Sequence, residues 1–335
     1  MARLTVGQLF LTVRLNVRQP ILAVLLFLFF AAPLCTAQSQ EPTPPIRVTV
    51  NRVNLGVTVT DAAGHFIAGL RPEDFHVFDN DVEQPITDFL PIEEPAQLML
   101  LVESGPAVHF LAKDHLFAAD ALLATIAPTD RVAIASYSQS PQLLLDFTPN
   151  KAQARATLQN INFGNGFADL NLSSSLAATI DWLAPLPGKK TIVLLSTGVD
   201  TSPTQNWQLI QQKLNTSDVR ILAVSLAGDF RKPAKHKRLS AQEREDRTFV
   251  KHVFGEADQW LRELSHSTGG RAYFPKNTQE FSRAYAEIAQ LVRHEYSLAF
   301  APPAPDGQLH SLKVKAKHSS YQVDHRQAYL APTAN

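Results

Sequence analysis

Cysteine is nearly missing from this sequence: its 335 residues hold one, Cys35. A chain cut after Ala37 would have none, which excludes disulfides and thiolate chemistry. Neither sign of charge prevails, at 31 basic and 31 acidic side chains. Long apolar runs are also scarce, apart from the uncharged stretch Ile21 to Leu34, 14 residues with Pro33 inside it. A bilayer-spanning helix needs roughly 20 apolar residues, so a permanent anchor is the weaker reading.

What is present at the start has the layout of an export signal. Residues 1–37 carry Arg3, Arg14 and Arg18 and no acid, a positive region ahead of an apolar one. The small residues Cys35 and Ala37 fit cleavage before Gln38. Ala32 stands three residues before the cysteine, where lipoproteins carry leucine. The sequence predicts release of a soluble mature chain, with no membrane span, into the periplasm or the exterior. Removing three arginines leaves that chain slightly acidic, which gives no support to a nucleic-acid partner.

Residues 38–45 (QSQEPTPP) read as a linker. Over 46–92 apolar residues alternate, as in Ile46, Val48, Val50 and then Val53, Leu55, Val57, Val59, with a parity slip at Asn51-Arg52. Period two and the turns at Asp61–Gly64 and Asp79–Asp81 predict a small β domain. Over 93–294 strands alternate with helices, which specifies a doubly wound, mostly parallel α/β sheet. Residues 295–330 return to alternation, with Leu312, Val314 and Ala316 opposite Lys313, Lys315 and Lys317. One wet face means an antiparallel layer, expected to pair with 46–92 around the inserted α/β domain.

The strand ends Leu100-Leu101-Val102-Glu103-Ser104-Gly105 and Val193-Leu194-Leu195-Ser196-Thr197-Gly198, with Ser267-Thr268-Gly269-Gly270-Arg271-Ala272-Tyr273-Phe274, resemble a von Willebrand factor type A (VWA) domain. The flanks, Val57 to Asp61, Gly69 to Phe75, Asp306-Gly307 and Arg326 to Tyr329, are similar to a VWA-related family common in acidobacteria. The resemblance implies a ligand crevice at the carboxyl ends of the first and fourth strands. Many such domains hold Mg²⁺ there on an Asp-x-Ser-x-Ser turn, a later threonine and a second aspartate. In this chain those positions fall on Val102, Ser104, Pro106, Ala168 and Thr197. A hard cation wants oxygen ligands that include a carboxylate, so the metal site is expected to be lost. Glu103, Asp169 and Asp200 could rescue it, but Glu103 should aim away from Val102 and acidic residues here read as exposed loop tips.

The ligand-binding candidates are therefore Glu103, Ser104, Phe167, Asp169, Thr197 and Asp200, with no catalytic residue, metal or cofactor assigned. Ser136, Ser138, Ser140 and Ser173-Ser174-Ser175 lack the elbow that lifts a nucleophilic serine clear of a sheet. His109, His115 and His294 have no metal-ligand spacing. The charged segment Arg231 to Arg247 reads as a solvated, partly disordered insertion. Trp182, Trp207 and Trp260 read as core, and the apolar loop with Phe163 and Phe167 as packing or a docking patch. The resulting expectation is a non-enzymatic envelope or extracellular protein that binds another protein without metal. An exported hydrolase using Ser104, or a purely structural envelope component, is the alternative.

Overall fold

The computed structural model describes residues 52–92, 95–105, 108, 119–120, 122–164, 169–203, 205–228, 240–303 and 306–333. The expected signal, the linker, Phe167 and residues 231–239 lie outside them. From Thr49 onward the chain forms one compact unit.

Four strands come first: Val53–Thr60 (β1), Phe75–Asp79 (β2), Val82–Gln84 (β3) and Asp88–Ile92 (β4). Asn80 and Asp81 both have positive φ (47° and 63°), as the tight primed turn of a β2–β3 hairpin requires. The α/β part then runs through β5 (Ala96–Glu103), β6 (Arg131–Tyr137), β7 (Pro141–Thr148), α1 (Lys151–Gln159), α2 (Leu172–Leu183) and β8 (Lys189–Ser196). It continues through α3 (Trp207–Thr216), β9 (Val219–Ser225), α4 (Ala241–Ser267), β10 (Ala272–Tyr273) and α5 (Thr278–Arg293). Strands β11 (Glu295–Phe300), β12 (Leu309–Ala316), β13 (Gln322–Asp324) and β14 (Ala328–Leu330) close the fold.

The six-stranded sheet has the order β10-β9-β8-β5-β6-β7. Every pairing in it is parallel except β6–β7. Strands β5, β8 and β9 are fully buried or nearly so along their length, which is why they read as unbroken apolar runs. One face packs on α5 through Phe281, Tyr285 and Ile288, and the other on α2 and α4 through Leu176, Ile180 and Leu261. Helices α1, α2, α3 and α5 each start on an asparagine whose side chain accepts the N3 amide: Asn150, Asn171, Asn206 and Asn277. Such a cap is worth about 1 kcal/mol.

Helix α4 departs from the sequence reading. It begins at Ala241, so residues 241–247 of the charged segment are helix and not solvated coil. The reason is local: Ser240 and Glu243 form a capping box ahead of the strong helix formers Ala241 to Arg244. The tryptophans depart too, being only half-buried at the margin of the core, with the Trp207 and Trp260 rings 4.1 Å apart.

The remaining strands form two four-stranded sheets, β13-β1-β11-β4 and β14-β12-β2-β3. Between them lies a separate core of Leu55, Val57, Val59, Phe75, Val77, Leu298, Phe300, Leu312 and Val314, so this part is a β-sandwich. Two arginines join it to the α/β part. Arg220 of β9 pairs with Glu295 of β11 at 3.0 Å and donates to Thr58 Oγ1 of β1. Arg271 donates to Asp324, Thr60 and Glu287. Gly56 leaves the room for Glu295: a Cβ there would collide with its carboxylate.

Inside the sandwich His310 is buried between two carboxylates. Its Nδ1 lies 2.7 Å from Asp79 and its Nε2 3.1 Å from Asp306, while Tyr329 donates to Asp79. Burial opposes the charged ring, but the hydrogen bonds to Asp306 and Asp79 outweigh it and raise the His310 pKa. Because the folded value is raised, this contribution is complete below the ordinary histidine value of about 6.5 and is lost as pH climbs through the raised one. Denaturant melts of wild type and His310→Gln at about pH 6 and about pH 9 should show that slope in wild type alone.

Candidate functional site

The direction of winding reverses between β5 and β8, so the loops leaving their carboxyl ends diverge and open a crevice, as at the switch point of any doubly wound sheet. Glu103, the last residue of β5, lies at its floor. Parallel pairing sets Glu103 beside Tyr137, and Val102 beside Ser136 and Leu195. Val102 joins the core on one face of the sheet and Tyr137 the core on the other. Glu103 shares the Tyr137 side and does aim away from Val102.

The expectation of an exposed acidic residue at Glu103 is overturned, since its exposure is 0%. Four donors take up one carboxylate oxygen. Oε2 accepts from the Thr197 amide at 2.7 Å, the Thr197 hydroxyl at 2.9 Å, Ser196 Oγ at 3.1 Å and the Tyr137 hydroxyl at 3.2 Å. Oε1 is 3.1 Å from Thr197 Oγ1. Tyr137 and Ser196 are themselves 2.7 Å apart, and Ser196 Oγ accepts the Gly198 amide. Burial raises the Glu103 pKa above the usual carboxylate range, and the bonds from Thr197, Ser196 and Tyr137 pull part of that back. Burial and then the charge of Glu103 push the Tyr137 phenol well up.

Glu103 and Thr197 are thus brought into direct contact. Ser104 is adjacent but turned away, its hydroxyl donating to the Tyr137 carbonyl at 3.0 Å. Asp200 is half-buried and occupied: Oδ2 accepts the Ser173 amide at 2.8 Å and Oδ1 the Ser202 amide at 2.9 Å. It ties the loop after β8 to the first turn of α2, so it is no free loop tip. Asp169 is exposed, one residue before Leu170, which exchanges hydrogen bonds with Thr201. Phe163 packs against the core, which favours packing over docking for that ring. Tyr137 and Ser196 were missed as site residues. The signal for Tyr137 was available, because it ends its strand on the parity that faces Glu103.

Magnesium does not fit this set of donors. It demands near-octahedral oxygen ligands, and here the one carboxylate at the floor is consumed by protein donors while both neighbouring hydroxyls point elsewhere. Among the described residues no group of three or more His, Cys, Asp or Glu side chains is placed to hold a metal ion.

No family model matches the sequence, and no curated protein does. Solved structures are similar at low identity. BatB, a conserved hypothetical protein from Bacteroides thetaiotaomicron, is 9% identical, with 58% of this chain and 98% of that one covered and a TM-score of 0.41. An aerotolerance-related membrane protein from Bacteroides fragilis is 14% identical over 59% and 98% of the two chains, with a TM-score of 0.42. A von Willebrand factor type A protein from Catenulispora acidiphila is 12% identical over 77% and 71%, also at 0.42. Numbered within the α/β part, the strand order is 3-2-1-4-5-6 with strand 3 antiparallel, and this order, with its crevice, gives the part its von Willebrand factor type A-like fold.

Proposed function

We propose that the protein is exported and non-enzymatic, and that it binds another envelope or extracellular protein through the crevice at residues 103–110, 163–170 and 197–204 without a metal ion. The observation that carries this reading is the engagement of Glu103 by Thr197, Ser196 and Tyr137. A carboxylate held by four donors braces the β5 and β8 ends against each other and has little left to offer a cation. Contact then comes from the crevice rim, where Asp169 is exposed. Among the described residues no helix is long and apolar enough to cross a membrane. Export itself rests on residues 1–37.

Titration calorimetry of the mature chain with Mg²⁺ and Mn²⁺ is expected to give no stoichiometric heat. Capture of a partner from envelope extract is expected to be the same with and without EDTA. Tight one-to-one uptake of either ion, or loss of capture on chelation, sinks the metal-free reading.

A further inference from the structure

Beside the crevice, on the β6–β7 flank, lies a pocket of about 300 Å³. Its described lining is Ser104, Gly105, Ser136, Ser138, Ser140, Gln142, Leu144, Asn160, Asn162 and Gly164. Ser136 continues the Val132–Ile134 parity of β6, and Ser138 and Ser140 lie in the bend between β6 and β7. The end of β6 and the bend after it thus bring three hydroxyls to one cavity.

Two properties set this pocket apart. No described lining residue is acidic, basic or histidine. Among the described residues, the side chains of Ser136, Ser138, Ser140, Gln142 and Asn162 have no hydrogen-bond partner, and Ser136 is 6% exposed. The contrast is the cavity of about 360 Å³ between the α/β part and the sandwich. Most of its charged groups are paired with one another, in Arg52–Asp88, Lys190–Asp218 and Arg220–Glu295, and Lys189 and Arg326 donate to backbone carbonyls.

We infer that the smaller pocket binds a neutral saccharide. Hydroxyls and carboxamides both donate and accept, which matches a ligand whose own hydroxyls do the same. A charged ligand would meet no counter-charge, and an apolar one would leave five polar side chains dry. Leu144, 38% exposed, supplies one apolar wall for the C–H face of a ring. The volume sits at the low end for small-molecule sites, roughly 300 Å³, room for one or two sugar rings and not for a protein surface. The pocket shares Ser104, Gly105 and Gly164 with the crevice of the protein-docking reading, but the side chains this inference rests on, Ser136, Ser138, Ser140, Gln142 and Asn162, are not those that hold Glu103.

The test is titration of the mature chain with maltotriose, cellotriose and tri-N-acetylglucosamine. Sialyllactose and inorganic phosphate serve as charged arms, and an uncharged glycine-serine peptide as a third. At least one neutral trisaccharide is expected to bind with a Kd of ~1 mM or tighter. Ser136→Val and, separately, Asn162→Ala should each weaken it about tenfold with the melting temperature held, since neither side chain has a hydrogen-bond partner among the described residues. Absence of binding by all three neutral sugars, preference for a charged arm or the peptide, or binding that survives both pocket variants overturns the inference.

Discussion

Glu103→Ala is expected to destabilise the protein by about 4 kcal/mol, while Glu103→Gln costs no more than about 1.5 kcal/mol near neutral pH. Alanine removes the acceptor shared by the Thr197 amide and hydroxyl, Ser196 and Tyr137. Each buried donor left without a partner costs about 1–3 kcal/mol, offset here because Tyr137 and Ser196, 2.7 Å apart, are free to bond to each other once the carboxylate is gone. Glutamine keeps one oxygen for the same donors, and its amide can donate to Thr197 Oγ1. The two variants also differ from wild type in their pH response. Glu103 has a raised pKa in the folded protein, so the native state holds a proton that the unfolded chain releases above about pH 4.3. Wild-type stability therefore falls as pH rises through that window, and Glu103→Gln should lack this part of the slope. Urea melts at about pH 5 and about pH 8 measure it. Equal stability of the alanine variant and wild type would show that the cluster does not brace the crevice.

Arg220→Met is expected to cost about 3–5 kcal/mol, because it leaves Glu295 uncompensated at a nearly closed interface. The side chains of Arg220 and Glu295 are only 7% and 12% exposed. Arg220→Met combined with Glu295→Gln should recover most of that loss, since removing both members of a buried pair is often close to neutral. A double-mutant cycle read by denaturant melts gives the coupling. If the two single losses simply add, the pair is not what joins β9 to β11.

The α/β strands were legible because they are buried on both faces. Leu98 to Val102 and Thr191 to Leu195 have no polar alternation to confuse with anything else. The sandwich strands were legible for the opposite reason, their strict alternation. The burial of Glu103 was not, because its donors Tyr137, Ser196 and Thr197 lie 34, 93 and 94 residues away, and only the parallel register brings them together. The start of α4 was hidden by charge: Arg244, Glu245, Asp246 and Arg247 suggest solvent, but solvent exposure and helix are compatible once Ser240 caps the first turn. Asp200 was misread for a related reason. A carboxylate two residues before Ser202 and beside the α2 amino end finds backbone donors that no spacing rule along the chain reveals.

The sandwich is completed by strands from both ends of the described chain. Strand β1 lies between β11 and β13, and β2 between β3 and β12, so β1 has neither of its neighbours and β2 only one until the stretch from Glu295 onward, about the last eighth of the polypeptide, arrives. Closing so long a loop is slow in comparison with local pairing. Maturation should accordingly show a late kinetic phase, in which an already folded α/β part waits on the C-terminal strands. Loss of the segment from β12 onward would strand the earlier half with open edges prone to self-association.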